Sequence, residues 1–359
     1  MKQGMDIKEM IETIKDQSQH RVDYKLPASN LVLEPDGKTL TLDNNGSIER
    51  FGMTEIFHSQ LGASLDIPAK YYEKCREKKP DLLAFNVNTW LSASGKRQLV
   101  RTFRYKDQRP DVARAYLSDR YRIFDNAPIA ARILSMFMDR DRYVVASCSV
   151  TESNMYIKLL DRQRQAEVSP GDIVEGGIIV QNSEIGRGLT SVRPFLNRLV
   201  CKNGMVVDEL AAKRRHVGRR IDPLEDVTIY SQHTLDLDDQ AFLGRLTDAA
   251  VFSMSEVTFQ RAVDTMKNAK DAKLTGNVSQ VIELASRDFG ITKQEQESVF
   301  NYFLLGDEGL GTDPSLYGLA NAVTRTAQDV ESYDRATELE KTGYAMLTVS
   351  PAKWKNWNA

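Results

Sequence analysis

The apolar residues of this chain change their spacing part-way along, and that change limits the folds open to it. Through the middle they fall in short β-branched and aromatic runs broken by polar turns, as in Gln98–Tyr105, Val112–Leu117, Tyr143–Val150 and Met155–Leu160. From about Pro223 onward they recur every three or four residues, the helical period. Strands followed by helices predict an α+β protein: a twisted, mostly antiparallel sheet in the N-terminal and middle region, with the helical C-terminal third packed on it. The division falls at residues 1–220 and 221–359. No linker composition marks the boundary, so the two parts are expected to form one continuous body. Hydrophobic residues make up 41% of the 359, enough for a sizeable core.

Local signals place several elements. Ile7, Met10, Ile11 and Ile14 form an amphipathic stripe, predicting a helix over Ile7–Gln19. Pro35-Asp36-Gly37 and Asn44-Asn45-Gly46 read as turns, with strands at Leu31–Leu33 and Thr39–Leu42 flanking the first. Pro68 and Pro80 each open a helix, the second running through Leu82, Leu83 and Phe85 to Trp90. Asn126-Ala127-Pro128 starts another, and Asp172–Gln181 and Leu189–Cys201 form a strand pair joined by the loop Asn182–Gly188. Asp208–Arg215 reads as a short, very basic helix. Further on, Asp238-Asp239 is taken to cap Phe242–Phe252, and Thr292 with Glu295 forms a capping box. Asp313-Pro314 starts a helix, and Glu331–Leu347 is expected to be the last.

Net charge is only −2, but it is unevenly divided. Residues 1–50 carry 7 basic and 9 acidic side chains, residues 51–220 carry 29 and 19, and residues 221–359 carry 12 and 22. The segments therefore stand at −2, +10 and −10. A basic middle attracts polyanions even in a nearly neutral molecule. The competing explanation is that the basic middle and the acidic third neutralise each other across an internal or subunit contact.

Enzyme chemistry finds little support. No phosphate-binding G-x-x-x-x-G-K-[ST] loop occurs, and Gly176-Gly177 and Gly186-Arg187-Gly188 do not build a dinucleotide fingerprint. His20, His58, His216 and His233 lack metal-ligand spacing. Cys75, Cys148 and Cys201 are scattered, as expected of buried small side chains in a reducing compartment. The run Asp236, Asp238, Asp239 reads as a helix cap rather than a nuclease metal site. Ser183 beside Glu184 reads as a turn former. No catalytic residue, metal or cofactor is assigned. Carboxylates that converge only in space, as in a metal-dependent nuclease, stay open as an alternative.

Two stretches combine arginine with aromatic residues. The first, residues 97–122, holds Arg101, Phe103, Arg104, Arg120, Tyr121 and Arg122, with Arg101 and Phe103 on one strand face. The second carries Arg193, Arg198 and Lys202, then Lys213, Arg214, Arg215, Arg219 and Arg220. Guanidinium groups neutralise phosphates and aromatic faces stack on unpaired bases, which together make a single-strand platform. These fourteen residues are the expected nucleic-acid contacts. The C-terminal Lys353-Trp354-Lys355-Asn356-Trp357 is expected to pack one tryptophan back on the core.

Four blocks also carry a likeness to a known family. They are Leu61–Leu91, Val100–Asn126 with Leu117-Ser118-Asp119-Arg120-Tyr121, Gly171–Met205 with Asn182-Ser183-Glu184-Ile185-Gly186 and Lys202-Asn203-Gly204-Met205, and Leu316–Thr324. In these the chain resembles phage- and plasmid-associated proteins grouped as domain of unknown function 932. The resemblance implies a mobile-element protein found beside replication and recombination functions, and no particular reaction. By analogy with annealing proteins it implies a homo-oligomer. The expectation is a cytoplasmic, non-membrane protein of a bacterial host that binds single-stranded DNA alongside phage or host recombination and replication proteins. A non-catalytic protein-interaction factor is the alternative.

Overall fold

The computed structural model describes residues 1–137, 139, 141–201, 203–207, 231, 233–306 and 311–359, and the backbone alone of 212–214 and 232. It is α+β, with mostly antiparallel sheets ahead of a helical C-terminal third. The strands divide into two six-stranded sheets rather than one.

Helix α1 (Ile7–His20) precedes the first sheet, capped by the Asp6 side chain on Lys8 N. That sheet contains β1 (Arg21–Pro27), β2 (Leu31–Leu33), β3 (Thr39–Asn44), β4 (Ser47–Met53), β5 (Arg97–Phe103) and β6 (Val112–Ser118), ordered β1-β5-β6-β4-β3-β2. Only the short β4–β6 pairing is parallel. The β3–β4 connection is a two-residue hairpin turn in which Asn45 and Gly46 both take positive φ, 54° and 88°. Asparagine and glycine tolerate that conformation, and it matches the strand twist. One face of the sheet is covered by α2 (Glu55–Ser64), α3 (Ala69–Lys78) and α4 (Pro80–Ala93). Leu40, Leu42 and Phe51 from the strands meet Phe57, Leu83 and Val87 from the helices, all fully buried. Each such side chain contributes about 1.5–3 kcal/mol by leaving water.

After α5 (Asn126–Met136), the second sheet comprises β7 (Tyr143–Val150), β8 (Met155–Ser169), β9 (Asp172–Asn182), β10 (Thr190–Arg198), β11 (Asn203–Val206) and β12 (Ala212–Arg214). Its order is β11-β10-β9-β8-β7, and β12 pairs with β10 beyond β11. The helices that follow are α6 (Gln232–Ser253), α7 (Glu256–Asp271), α8 (Val278–Phe289), α9 (Lys293–Leu305), α10 (Leu316–Thr326), α11 (Tyr333–Leu347) and α12 (Pro351–Trp357). Alternation sets the two sheet faces. Ile157, Ile178 and Val180 point to α1, α5 and α6, while Tyr156, Ile179 and Phe195 point to Tyr333 on α11. Val174, Leu196 and Met205, which alternation puts on the face of Ile178 and Val180, join residues of α7–α12 in the largest apolar cluster among the described residues. A fully buried ion pair, Lys158 Nζ to Glu340 Oε2 at 2.6 Å, ties α11 to β8.

Several sequence expectations change. Residues 212–214, read as part of a basic helix, form a strand paired with Val192–Thr190 on β10. Helix α6 begins at Gln232 behind the Ser231 cap, so Asp238-Asp239 lies inside the helix and caps nothing. Helices α2, α7, α8 and α12 and strands β1, β4 and β11 add to the elements expected, and α12 follows Glu331–Leu347, which is therefore not the last helix. Trp357 does pack back, 2% exposed, with its Nε1 donating to Asp288 at 3.1 Å. Among the described residues, no helix is long and apolar enough to cross a membrane.

Candidate nucleic-acid interface

Two arginines of the first basic stretch, Arg101 and Arg114, turn inward, whereas Arg97, Arg104, Arg109 and Arg120 are exposed. Arg101 on β5 is completely buried. Its Nε sits 3.0 Å from Asp23, its Nη2 2.8 Å from Asp125, and its Nη1 donates to the Glu184 carbonyl at 2.6 Å. Burial opposes the charge on Arg101, yet Asp23, Asp125 and Glu184 outweigh it and hold the guanidinium pKa above its ordinary value. Arg114 reaches the Glu184 carboxylate at 3.1 Å and lies 3.9 Å over the Phe103 ring. The other Glu184 oxygen accepts from Asn126 N at 2.8 Å, and Arg21 pairs with Asp125.

A β-bulge makes this cluster feasible. Arg101 registers with Ala115 and Thr102 with Ala113, leaving Arg114 as the extra residue. Arg114 and Ala115, neighbours in sequence, can then both face the loop after β9. Ala113 and Tyr116 keep to the opposite, helix-covered side. That loop is the Asn182-Ser183-Glu184-Ile185-Gly186 segment. Asn182 Nδ2 donates to the Phe124 carbonyl, Ser183 O accepts from Tyr121 OH at 3.1 Å, and Ile185 O accepts from Gln60 at 2.7 Å. Gly186 has φ +74°, and a Cβ there would stand 2.9 Å from Leu117 Cδ2. The Leu117–Tyr121 and Asn182–Gly186 segments thus form the joint between the sheets.

The remaining expected contacts differ in where the fold puts them. Phe103 is 8% exposed and Tyr121 half-buried, so neither ring is open on both faces. Arg122 binds Asp238 at 2.8 Å and Asp239 at 2.6 Å, the neutralisation of basic middle by acidic third that the charge division allowed. Arg198 is buried against Asp172 at 2.5 Å, with Tyr317 OH on the same carboxylate, and Arg193 is buried on β10. Arg104 is exposed but lies 2.9 Å from Glu49, whereas Arg120 is exposed and makes no ion pair among the described residues. Lys213 and Arg214 are placed only as backbone on β12, and Lys202, Arg215, Arg219 and Arg220 lie outside the described residues.

A second basic and aromatic surface lies on the outer helical layer of the first sheet. On α3, Lys70, Lys74 and Lys78 recur every four residues along one exposed strip, and Lys79 follows. None makes an ion pair among the described residues. Arg76 is occupied by Glu55 and Glu73 at 2.8 and 2.7 Å, so Glu77 and Asp81 are the nearby carboxylates that face water. Beside this strip α4 exposes Leu82 at 44%, Phe85 at 73% and Trp90 at 55%, and α3 adds Tyr71 at 42%. Asn86 interacts with the Tyr71 hydroxyl and accepts from Trp90 Nε1 at 3.0 Å, which steadies both rings. The signal for this face was present in the sequence. Leu83, Val87 and Leu91 complete the buried stripe of α4, which leaves Phe85 and Trp90 off it.

A family model for Domain of unknown function (DUF932) matches residues 115–347. The chain belongs to the DUF932 family. The matched span contains the second sheet, the joint loop and helices α5–α11, and it excludes β1–β5 and α1–α4. Of the four blocks read in the sequence, the first lies ahead of the DUF932 match. No curated protein and no solved structure matches the chain. The exposed α3–α4 face therefore belongs to the part of the molecule outside the DUF932 region. Among the described residues, no group of three or more histidine, cysteine or carboxylate side chains is arranged to hold a metal.

Proposed function

We propose that this DUF932 protein binds single-stranded DNA, and that the contact surface is the outer α3–α4 face rather than the arginine-rich strands. The observation that carries the reading is the exposure of Phe85 and Trp90 on one helix beside the Lys70, Lys74, Lys78 strip. Aromatic rings held in water beside mobile cations suit a strand that offers stacked bases and a phosphate backbone together. A neutral or cationic partner would use the rings and leave the lysines unanswered. Arg101, Arg122 and Arg198, already neutralised inside the protein, add no binding charge. Loading onto DNA during recombination or replication, and a bacterial cytoplasmic setting, accompany this reading as proposals.

Trp90 supplies its own reporter. It is the tryptophan most open to solvent, since Trp357 is 2% exposed and Trp354 is packed against the core. Titration with an oligothymidylate should quench tryptophan emission, and Trp90→Phe should remove the quench while retaining binding by gel shift. Absence of any shift at about 50 mM salt, where phosphate contacts are strongest, would refute DNA binding.

A further inference from the structure

We infer that Cys201 is a modifiable thiol whose partner is a small anionic disulfide seated in an adjoining cavity. Cys201 follows β10, and it alone of the three cysteines is not fully buried. Its sulfur accepts from Arg198 Nη1 at 3.7 Å, while the Nε and Nη2 of that guanidinium hold Asp172. A donor aimed at sulfur favours the thiolate, the form that attacks disulfides. The backbone around the thiol is pinned, because the Cys201 carbonyl accepts from Arg325 Nη1 at 3.3 Å and from Gln328 Nε2 at 2.9 Å.

The cavity gives this thiol a ligand-sized neighbour. It measures about 320 Å³ and is lined by Cys201, Tyr302, Phe303, Asn321 and Arg325 among others. That volume falls at the small end of ligand pockets, roughly 300–1,000 Å³. Asn321 is 5% exposed, and its Oδ1 has no hydrogen-bond partner among the described residues. A buried carbonyl left without a donor is unfavourable, so this position favours a ligand N–H. Arg325 stands over the Tyr302 ring and presents positive charge to the same space. Of the nearby carboxylates among the described residues, Asp313 is matched by Lys270 at 3.0 Å and Asp172 by Arg198, while Asp329 accepts from Tyr302 OH at 2.6 Å. A ligand with amide N–H groups and carboxylates on a disulfide meets these demands.

The reaction is thiol–disulfide exchange. The Cys201 thiolate attacks one sulfur of the small disulfide, the S–S bond of the reagent breaks, and its other half leaves as a thiolate. Cys201 ends in a mixed disulfide and one small thiol is released, so electrons balance with no further oxidant.

The test compares glutathione disulfide, an anionic amide, with cystamine, a cationic disulfide without amides. Native protein should gain one adduct per chain, located at Cys201 by peptide mass, and Cys201→Ser should gain none. Glutathione disulfide should react at least tenfold faster than cystamine, the preference falling with added salt in the wild-type protein and approaching unity in Arg325→Gln. The salt arm decides the matter if that variant fails to fold. Equal or faster reaction of cystamine, or equal labelling of Cys75 and Cys148, would overturn the proposal.

Discussion

The joint between the two sheets and the outer α3–α4 face draw on the same residue types and put them to opposite ends. At the joint, Arg21, Arg101 and Arg114 meet Asp23, Asp125 and Glu184, so three positive charges are matched by three negative ones. On the outer face, Lys70, Lys74, Lys78 and Lys79 extend into water beside Phe85 and Trp90 and make no ion pair among the described residues, although Glu77 and Asp81 are exposed nearby. Residue type also follows this division. Arginine, with its planar fork, fills the buried multi-partner sites, while lysine occupies the solvated strip. A basic run in a sequence therefore points to a polyanion only after subtracting the carboxylates that folding brings to it.

The largest effect should come from breaking the joint. Arg101→Ala leaves Asp23 and Asp125 with Arg21 alone, and removing one member of a buried ionic cluster costs about 3–5 kcal/mol. Urea unfolding should show that loss, with oligonucleotide affinity unchanged wherever the variant is folded. A loss below about 1 kcal/mol would mean that the joint is not held electrostatically.

Next in size is stacking. Phe85→Ala and Trp90→Ala should each weaken single-strand binding by about 1–3 kcal/mol. Their stability should stay within about 0.5 kcal/mol of wild type, because neither ring is buried. The lysines act differently from the rings. Replacing Lys70, Lys74 and Lys78 with glutamine should reduce the slope of log K against log salt by about 0.7 for each phosphate no longer neutralised, for all oligonucleotide sequences alike.

A smaller effect concerns the base on which the outer face rests. His58 on α2 is buried against Tyr72 at 2.9 Å, and burial, aided by Arg76, lowers its pKa to about 4. The folded state keeps the ring neutral while the unfolded chain protonates it near pH 6.5. Stability from this site is therefore complete above about pH 6.5 and declines as the pH falls toward 4. His58→Gln should flatten that part of the pH–stability curve, as followed by thermal melts. An unchanged slope would show that the ring is protonated in the fold.

What was legible in the sequence was local. The stripe of α1, the Asn45-Gly46 turn and the Thr292–Glu295 capping box each depend on residues a few positions apart, and each appears in the structure. Long-range pairing was hidden. Asp238 and Asp239 resemble a helix cap in sequence because only the fold brings Arg122, more than a hundred residues away, against them. Strand alternation put Arg101 and Phe103 on one face, and they do share it, but nothing in their spacing shows that the Glu184 loop covers that face. The bulge at Arg114 is equally silent, since it exists only as a register difference between two strands. Phe85 and Trp90 do fall on the helix expected of them. Their exposure follows from the stripe of Leu83, Val87 and Leu91, a count that the sequence permits.

Photo-crosslinking tests the central claim most directly. A bromouridine-substituted single strand would be irradiated with the intact protein and the attached peptides identified by mass. The adducts should fall within residues 69–93, chiefly at Tyr71, Phe85 and Trp90, and disappear at high salt. Adducts confined to residues 97–122 or 187–220, with the α3–α4 peptides unmodified, would contradict the account and return the interface to the arginine-rich segments.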